Sequence, residues 1–299
     1  MLFTEVIILK YTYEEQLILR LIASGFNTHQ LHKIKQNFNT LDIPYGRMYP
    51  ILKNLLNRDK KLDGKIQDFN SLTIESVHTV LSSRQITPVF YHSKQYPFLL
   101  KQIYDFPFVL FCKGDLSILS NQNYLAIVGS RNRTGYTSEV IEQFMPHLVA
   151  HQITIVSGLA KGADSDAHLA ANYHGGKTIG VLGFGHDYYY PEEVTLLRRN
   201  MERHHVVVSE YYPTTQIAKF QFPERNRIIS GLSQGVLITE AKLRSGSLIT
   251  CDQALDQNRN VYCLPGHITS PLSQGCNQKI AEGAKIIVRV EDIIEDYII

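Results

Sequence analysis

Two stretches of this 299-residue chain gather residue types suited to holding phosphate: residues 156–168 (VSGLAKGADSDAH) and residues 222–250 (FPERNRIISGLSQGVLITEAKLRSGSLIT). Each sets a short apolar strand against a turn rich in Gly, Ser, Asn and Arg, and then enters a helix. Backbone N–H groups at a helix N-terminus point outward, and the macrodipole favours an anion there. Glycine lets the backbone approach closely, and Arg supplies a two-pronged, charge-assisted clamp. Several such turns in one domain imply a ligand with several phosphates, or a polymer of them.

Residues 126–131 (AIVGSR) end a strand in Gly129-Ser130-Arg131, with a helix a few residues on. This reads either as a phosphate held by backbone N–H groups, the Ser130 hydroxyl and Arg131, or as an ordinary strand-to-helix turn with a solvated Arg. It is not GxGxxG, and no acidic residue stands where a dinucleotide ribose needs one, which argues against NAD. Lys161 is flanked by Gly158 and Gly162, while Asp164, Ser165 and Asp166 offer N-caps to the next helix. Asp164, Asp166 and His168 could be grouped around a metal, but spacing this common more often serves capping and packing. Neither Walker A nor HExxH occurs, so no metal and no cofactor is assigned.

Arg225, Asn226 and Arg227 follow Phe220 and Phe222, with Lys219 alongside. Cations interleaved with aromatics suit single-stranded nucleic acid, phosphates on the cations and bases on the ring faces. The alternative is an Arg-rich helix start paired with nearby acids. Ser245-Gly246-Ser247 follows the strand 236–239 and Glu240, then opens a helix, and its hydroxyls and free N–H groups form a phosphate nest. Glu240 is open between a catalytic carboxylate and a partner for an Arg. Pro265-Gly266-His267 and residues 274–277 (QGCN) add another turn, and the tyrosines at 188–190 read as core and rim packing.

The elements that must position these turns follow from periodicity. Apolar residues at helical spacing predict helices over 13–22, 29–38, 46–56 and 74–83, with a break at Asp63-Gly64 and a basic cluster of Arg58, Lys60, Lys61 and Lys65. From Ile86 short strands alternate with helices. Strands are predicted over 87–91, 109–113, 125–128, 154–156, 178–182, 206–209, 235–239, 260–263 and 285–288, with helices over 138–150, 165–174 and 247–257. Nearly continuous apolar strands between helices argue for an α/β fold with a mostly parallel sheet buried on both faces. Ligands bind such sheets beyond the carboxyl ends of the strands, where all the turns above fall.

Composition adds limits. Apolar runs are far shorter than the ~20 residues of a membrane span, and no signal-peptide pattern opens the chain. Cys112, Cys251, Cys263 and Cys276 lack CxxC spacing, which fits reduced thiols in the cytoplasm. The net charge is +2, all of it in residues 1–78, which hold 10 basic and 8 acidic side chains. Nucleic acid would therefore be held by a local groove rather than by a bulk field.

Taken together, VGSR, VSGLAKGADSDAH, GKTIGVLGFGHDYYYPEE, FPERNRIISGLS, ITEAKLRSGSL and LPGH…GCNQKIAEGA, in this order, closely resemble the DprA/Smf (DNA-processing protein A) family. The resemblance covers about two-thirds of the chain, from about residue 86, including YPFLLKQIYDFPFVLFCKG, to about 288. It implies an extended Rossmann-like, doubly wound domain over 79–299, preceded by a small SAM/helix-hairpin-helix-like helical domain over 1–78. It further implies single-stranded DNA binding without catalysis, protection of incoming DNA in natural transformation, and loading of RecA by a homodimer, with single-strand-binding protein as a further partner. By position, the family's phosphate pocket maps to Gly129, Ser130, Arg131, Lys219, Arg225, Asn226, Arg227, Ser245, Gly246, Ser247 and Asn277. Lys161 joins them from its glycine-flanked turn, and Phe222 is the stacking ring.

The chain departs from the family in three places. Residues 24–28 (SGFNT) carry only Gly25 where many members have a glycine-punctuated hairpin, YYYPEEV has Val194 where a polar residue is usual, and no C-terminal winged-helix domain follows. The main rival function is a Rossmann-like nucleoside-monophosphate phosphoribohydrolase acting through Glu240. Its PGGxGT…E signature is missing, and the RNR cluster has no task in it.

Overall fold

Apolar strands of two to six residues, several of them followed by a glycine-bearing turn and a helix, assemble here into one twisted sheet. A computed structural model describes residues 10–37, 49–50, 52–54, 56 and 59–297. The strands are β1 (Thr87–Phe90), β2 (Val109–Gly114), β3 (Tyr124–Val128), β4 (Thr154–Ser157), β5 (Thr178–Leu182), β6 (Val206–Ser209), β7 (Gly235–Ile238), β8 (Asn260–Cys263) and β9 (Lys285–Ile286). Their order is β1-β2-β6-β5-β4-β3-β7-β8-β9. β1 and β2 are antiparallel to each other, β2 is antiparallel to β6, and every other pairing is parallel. All nine strands predicted from the sequence form, with ends shifted by a residue or two.

The helical segment comprises α1 (Tyr13–Ala23), α2 (Thr28–Asn37), α3 (Leu62–Ser71) and α4 (Ile74–Ser83). α1 opens with a capping box: Thr12 Oγ1 accepts from Glu15 N–H, and Glu15 Oε2 accepts from Thr12 N–H at 2.7 Å. The expected break at Asp63-Gly64 does not occur. α3 runs through both residues because Leu62, Ile66 and Phe69 form one buried stripe, which offsets the roughly 1 kcal/mol that an interior glycine costs. Residues 46–48, 51 and 55 of the helix predicted over 46–56, residue 38 of that predicted over 29–38, and Arg58 lie outside the described residues. The apolar cluster of these helices continues into the sheet through Phe90, Phe108, Val109, Phe111 and Tyr212, and residue 78 falls inside α4.

The remaining helices are α5 (Phe98–Lys101), α6 (Gly135–Ala150), α7 (Ala163–Tyr173), α8 (Thr195–His204), α9 (Gln221–Leu232), α10 (Gly246–Asp256), α11 (Gln274–Ala281) and α12 (Glu291–Ile294). Alternate residues of β3 serve opposite faces. Ala126 and Val128 pack with Ile228 and Ile229 of α9 and Cys251 of α10, while Leu125 and Ile127 pack with Ile141, Met145 and Leu148 of α6. A sheet covered on both sides explains the uninterrupted apolar strands. All four cysteines are free and buried, and among the described residues no helix is long and apolar enough to cross a membrane.

Candidate nucleic-acid interface

The parallel strands end together, and their order reverses at β3, which pairs with β4 on one side and β7 on the other. A crevice at such a reversal is the ligand site of open α/β sheets. Close backbone approach builds this one. A Cβ on Gly129 would lie 2.3 Å from Thr239 Oγ1, and one on Gly162, whose φ is +84°, would lie 2.4 Å from Ser130 O. Only glycine lets the β3 and β4 exits pack this tightly.

The result is a cleft of about 710 Å³ between the 129–132 turn, the first turns of α9 and the 242–247 loop. Arg131, Lys219, Lys242 and Arg244 rim it, all exposed and all without a carboxylate partner among the described residues. Ser245 takes the N-cap position of α10 with φ −81° and ψ 160°, yet its side chain caps nothing, and its Oγ is buried without a partner among the described residues. The orphan N–H groups of the first turn therefore face the cleft with a positive dipole end behind them. Asn226 Nδ2 reaches Gly246 O at 3.4 Å, joining α9 to the start of α10. Phe222 is half-buried at the margin, with the Arg131 guanidinium 6.0 Å from its ring centroid.

Gly129, Ser130, Arg131, Lys219, Phe222, Arg225, Asn226, Ser245, Gly246 and Ser247 are thus brought together. Arg225 lines the cleft but does not project into it. Its Nη1 donates to Gly158 O and Val181 O, and burial pushes the guanidinium down to about 10 while Asp164 opposes that shift. Lys161 lies in an adjoining slot, with Nζ 4.0 Å from Glu193 Oε1. Arg227 and Asn277 are placed elsewhere. Arg227 forms a buried pair with Glu210, reaches Asp105 at 3.1 Å, and lines the cavity beside α2 and α3. Asn277 clasps one residue, donating to Gly266 O at 2.8 Å and accepting from Gly266 N–H at 3.1 Å.

The acidic candidates also resolve. Glu240 accepts from Thr134 N–H (2.7 Å), Thr134 Oγ1 (2.9 Å) and Thr137 Oγ1 (2.7 Å), so it anchors the start of α6. Asp166 binds Arg133 and Ser138, Asp164 accepts from Gly158 N–H, and His168 Nδ1 meets Thr178 Oγ1 at 2.6 Å. Those three side chains serve separate partners, and among the described residues no cluster of metal-ligating groups forms. Lys242 and Arg244 are cleft cations that the motif reading passed over. They adjoin Ser245-Gly246-Ser247 in the sequence, and Arg244 sits at φ +59° in the left-handed region.

Residues 87–298 match the family described as DNA recombination-mediator protein A. The chain belongs to the DprA/Smf family. DNA processing protein DprA of Bacillus subtilis is 47% identical over 204 residues, covering 68% of this chain and 69% of the relative. Protein Smf of Escherichia coli is 42% identical over 205 residues, covering 68% of this chain and 54% of that protein. The X-ray structure of DprA from Streptococcus pneumoniae superposes with a TM-score of 0.82 at 35% identity, over 95% of this chain and 98% of that one. A DprA structure from Helicobacter pylori, described for its single-stranded DNA binding mode, gives a TM-score of 0.65 at 27% identity over 71% of this chain and 95% of that one. The extended Rossmann-like reading therefore stands for this DprA/Smf chain.

Proposed function

We propose that this DprA/Smf chain binds single-stranded DNA, without catalysis, in the cleft between the 129–132 turn, α9 and the start of α10. One observation carries the proposal: four cations, unpaired among the described residues, surround an uncapped helix N-terminus, with the ring of Phe222 beside them. Cations and N–H groups take phosphates, and the ring takes a base. Arg225 and Lys161 act from behind and beside the cleft, while Arg227 and Asn277 hold the surrounding structure.

The family supports the rest of the reading. The protein protects incoming strands in natural transformation, loads RecA, meets single-strand-binding protein on the same DNA, and works in the cytoplasm as a homodimer. The helices α1 to α4 stand beside the DNA-binding domain and share an apolar core with its sheet. A dimer suits a small cleft, because a second linked cleft raises the effective concentration for a long strand. The phosphoribohydrolase reading is disfavoured by Glu240, whose carboxylate is committed to three hydrogen bonds.

Fluorescence anisotropy with single-stranded and duplex oligonucleotides tests the proposal. Single strands bind more tightly, and the slope of log K against log salt shrinks by about 0.7 for each phosphate that Arg131→Ala or Lys219→Ala no longer neutralises. Equal binding of both forms, or a salt slope unchanged in both variants, refutes it. RecA nucleation on DNA coated with single-strand-binding protein tests the loading role. Nucleation unchanged by the protein rejects it.

A further inference from the structure

We propose that the cavity between the helical segment and the sheet is a second ligand site, which takes a free nucleoside monophosphate. The cavity, about 910 Å³, lies between the α1–α2 turn and the start of α3 on one side and residues 210–227 on the other. Small-molecule sites run to roughly 300–1,000 Å³. The start of α9 divides this cavity from the phosphate cleft. Lys219 and Phe222 line the cleft, whereas Phe220, Gln221 and Glu224 line the cavity.

The floor of the cavity holds an unfinished ion pair. Glu210 and Arg227, each only 8% exposed, bind one another. Thr28 Oγ1 donates to Glu210 Oε2 at 2.7 Å, and Arg227 Nε reaches Asp105 Oδ2 at 3.1 Å. Yet Glu210 Oε1 and Arg227 Nη1, both buried, have no partner among the described residues. Buried charged groups with hydrogen-bonding atoms left over are costly until something completes them. The carboxylate oxygen only accepts and the guanidinium nitrogen only donates. Together they fit a ligand edge that carries an N–H donor beside an acceptor. Every nucleobase has such an edge: an amino N–H beside a ring nitrogen in adenine and cytosine, a ring N–H beside a carbonyl in guanine and thymine.

The walls and the mouth supply the rest. Phe26 is buried in the lining, Tyr211 is anchored by its hydroxyl donating to Glu224 Oε2 at 2.8 Å, and Phe220 is exposed beside them. These rings offer apolar area to a planar group. Lys65 is committed to Asp59 at 2.7 Å and Gln30 at 3.0 Å, but Lys60 and Lys61 are exposed and without a carboxylate partner among the described residues. Two free ammonium groups therefore stand across the cavity from a buried donor–acceptor floor. A ligand that is anionic throughout would meet the Glu210 carboxylate, and a neutral one would leave the lysines unused. A phosphate at one end and a base at the other satisfies both.

Isothermal titration calorimetry of the full chain with AMP, adenosine and ribose 5-phosphate tests the site. AMP binds about tenfold or more tighter than either fragment, because each fragment forgoes charge-assisted hydrogen bonds at one end. Lys60→Ala/Lys61→Ala, a surface change that leaves the floor intact, weakens AMP by about tenfold and leaves adenosine unaffected. Glu210→Gln weakens AMP and adenosine but not ribose 5-phosphate. Arg131→Ala/Lys219→Ala, in the phosphate cleft, binds AMP as wild type does. AMP binding that is lost in the cleft variant and kept in the lysine variant overturns the proposal. So does equal affinity for AMP and ribose 5-phosphate, or the absence of any AMP binding to wild type.

Discussion

Arg225 and Asp164 grip the same glycine from opposite sides. The Arg225 guanidinium donates to the carbonyl of Gly158, while Asp164 Oδ2 accepts from the Gly158 N–H at 3.1 Å. A Cβ on Gly158 would lie 2.5 Å from Arg225 Nη1, so the residue must be glycine for the grip to close. Both side chains are buried at the exit of β4, and they set the turn that separates the phosphate cleft from the slot beside it.

Arg225→Met therefore damages the fold first. It leaves the buried Gly158 and Val181 carbonyls without their donor, a loss of about 1–3 kcal/mol for each, and removes the charge that opposes the burial of Asp164. Arg131→Ala, on the rim, stays within about 0.5 kcal/mol of wild type. Urea denaturation of the two variants checks this. An Arg225→Met protein as stable as wild type but unable to bind DNA would make Arg225 a ligand rather than a strut.

Glu240→Gln loosens the start of α6. An amide in place of the carboxylate must turn its NH₂ toward the Thr134 N–H or a threonine hydroxyl, replacing an acceptor with a donor. The expected cost is about 1–3 kcal/mol, read as a lowered denaturation midpoint. Release of base from a nucleoside monophosphate by wild type, lost in the variant, would instead make Glu240 catalytic.

Stability should fall in mild acid through His168. Burial lowers its pKa from 6.5 to about 3, and its Nε2 is buried without a partner among the described residues, so the folded protein keeps the ring neutral. The unfolded chain takes up a proton near pH 6.5. Stability is therefore complete above that value and is lost as pH falls toward the folded pKa, by up to about 1.4 kcal/mol per pH unit. His186 and His205, both lowered to about 4 chiefly by burial, act in the same direction. Stability measured from pH 7 to pH 4 should decline less steeply in His168→Asn than in wild type, and parallel declines would remove His168 from the account.

The strands were legible because a sheet covered on both faces needs apolar residues at nearly every position, and glycine-bearing turns marked the exits of β3, β4, β5 and β8. Ser130, Arg131 and residues 245–247 come together at one cleft, as exposed turn residues can. Arg225 and Arg227 turn inward, and this was not legible, because a charged residue does not declare in sequence whether it meets solvent or a buried partner. The useful signal was there. Both arginines belong to α9, and residues two apart on a helix face different directions, so one cleft cannot take both. The sequence offered an Arg-rich helix start here, but the extent of the helix was obscured by Pro223 and Gly231, which look like turn residues but sit in its first turn and at its closely packed end. α3 was missed for the same reason at Gly64.

Hydrogen–deuterium exchange with and without a thymidine oligonucleotide tests the central claim most directly, because it reads the N–H groups assigned to phosphate. Binding should slow exchange at residues 129–132 and 245–248, and around Lys219 and Phe222, while the helices α1 to α4 are unaffected. Protection confined to α1 to α4, or to the opposite edge of the sheet, with the 245–248 amides unchanged, would contradict it.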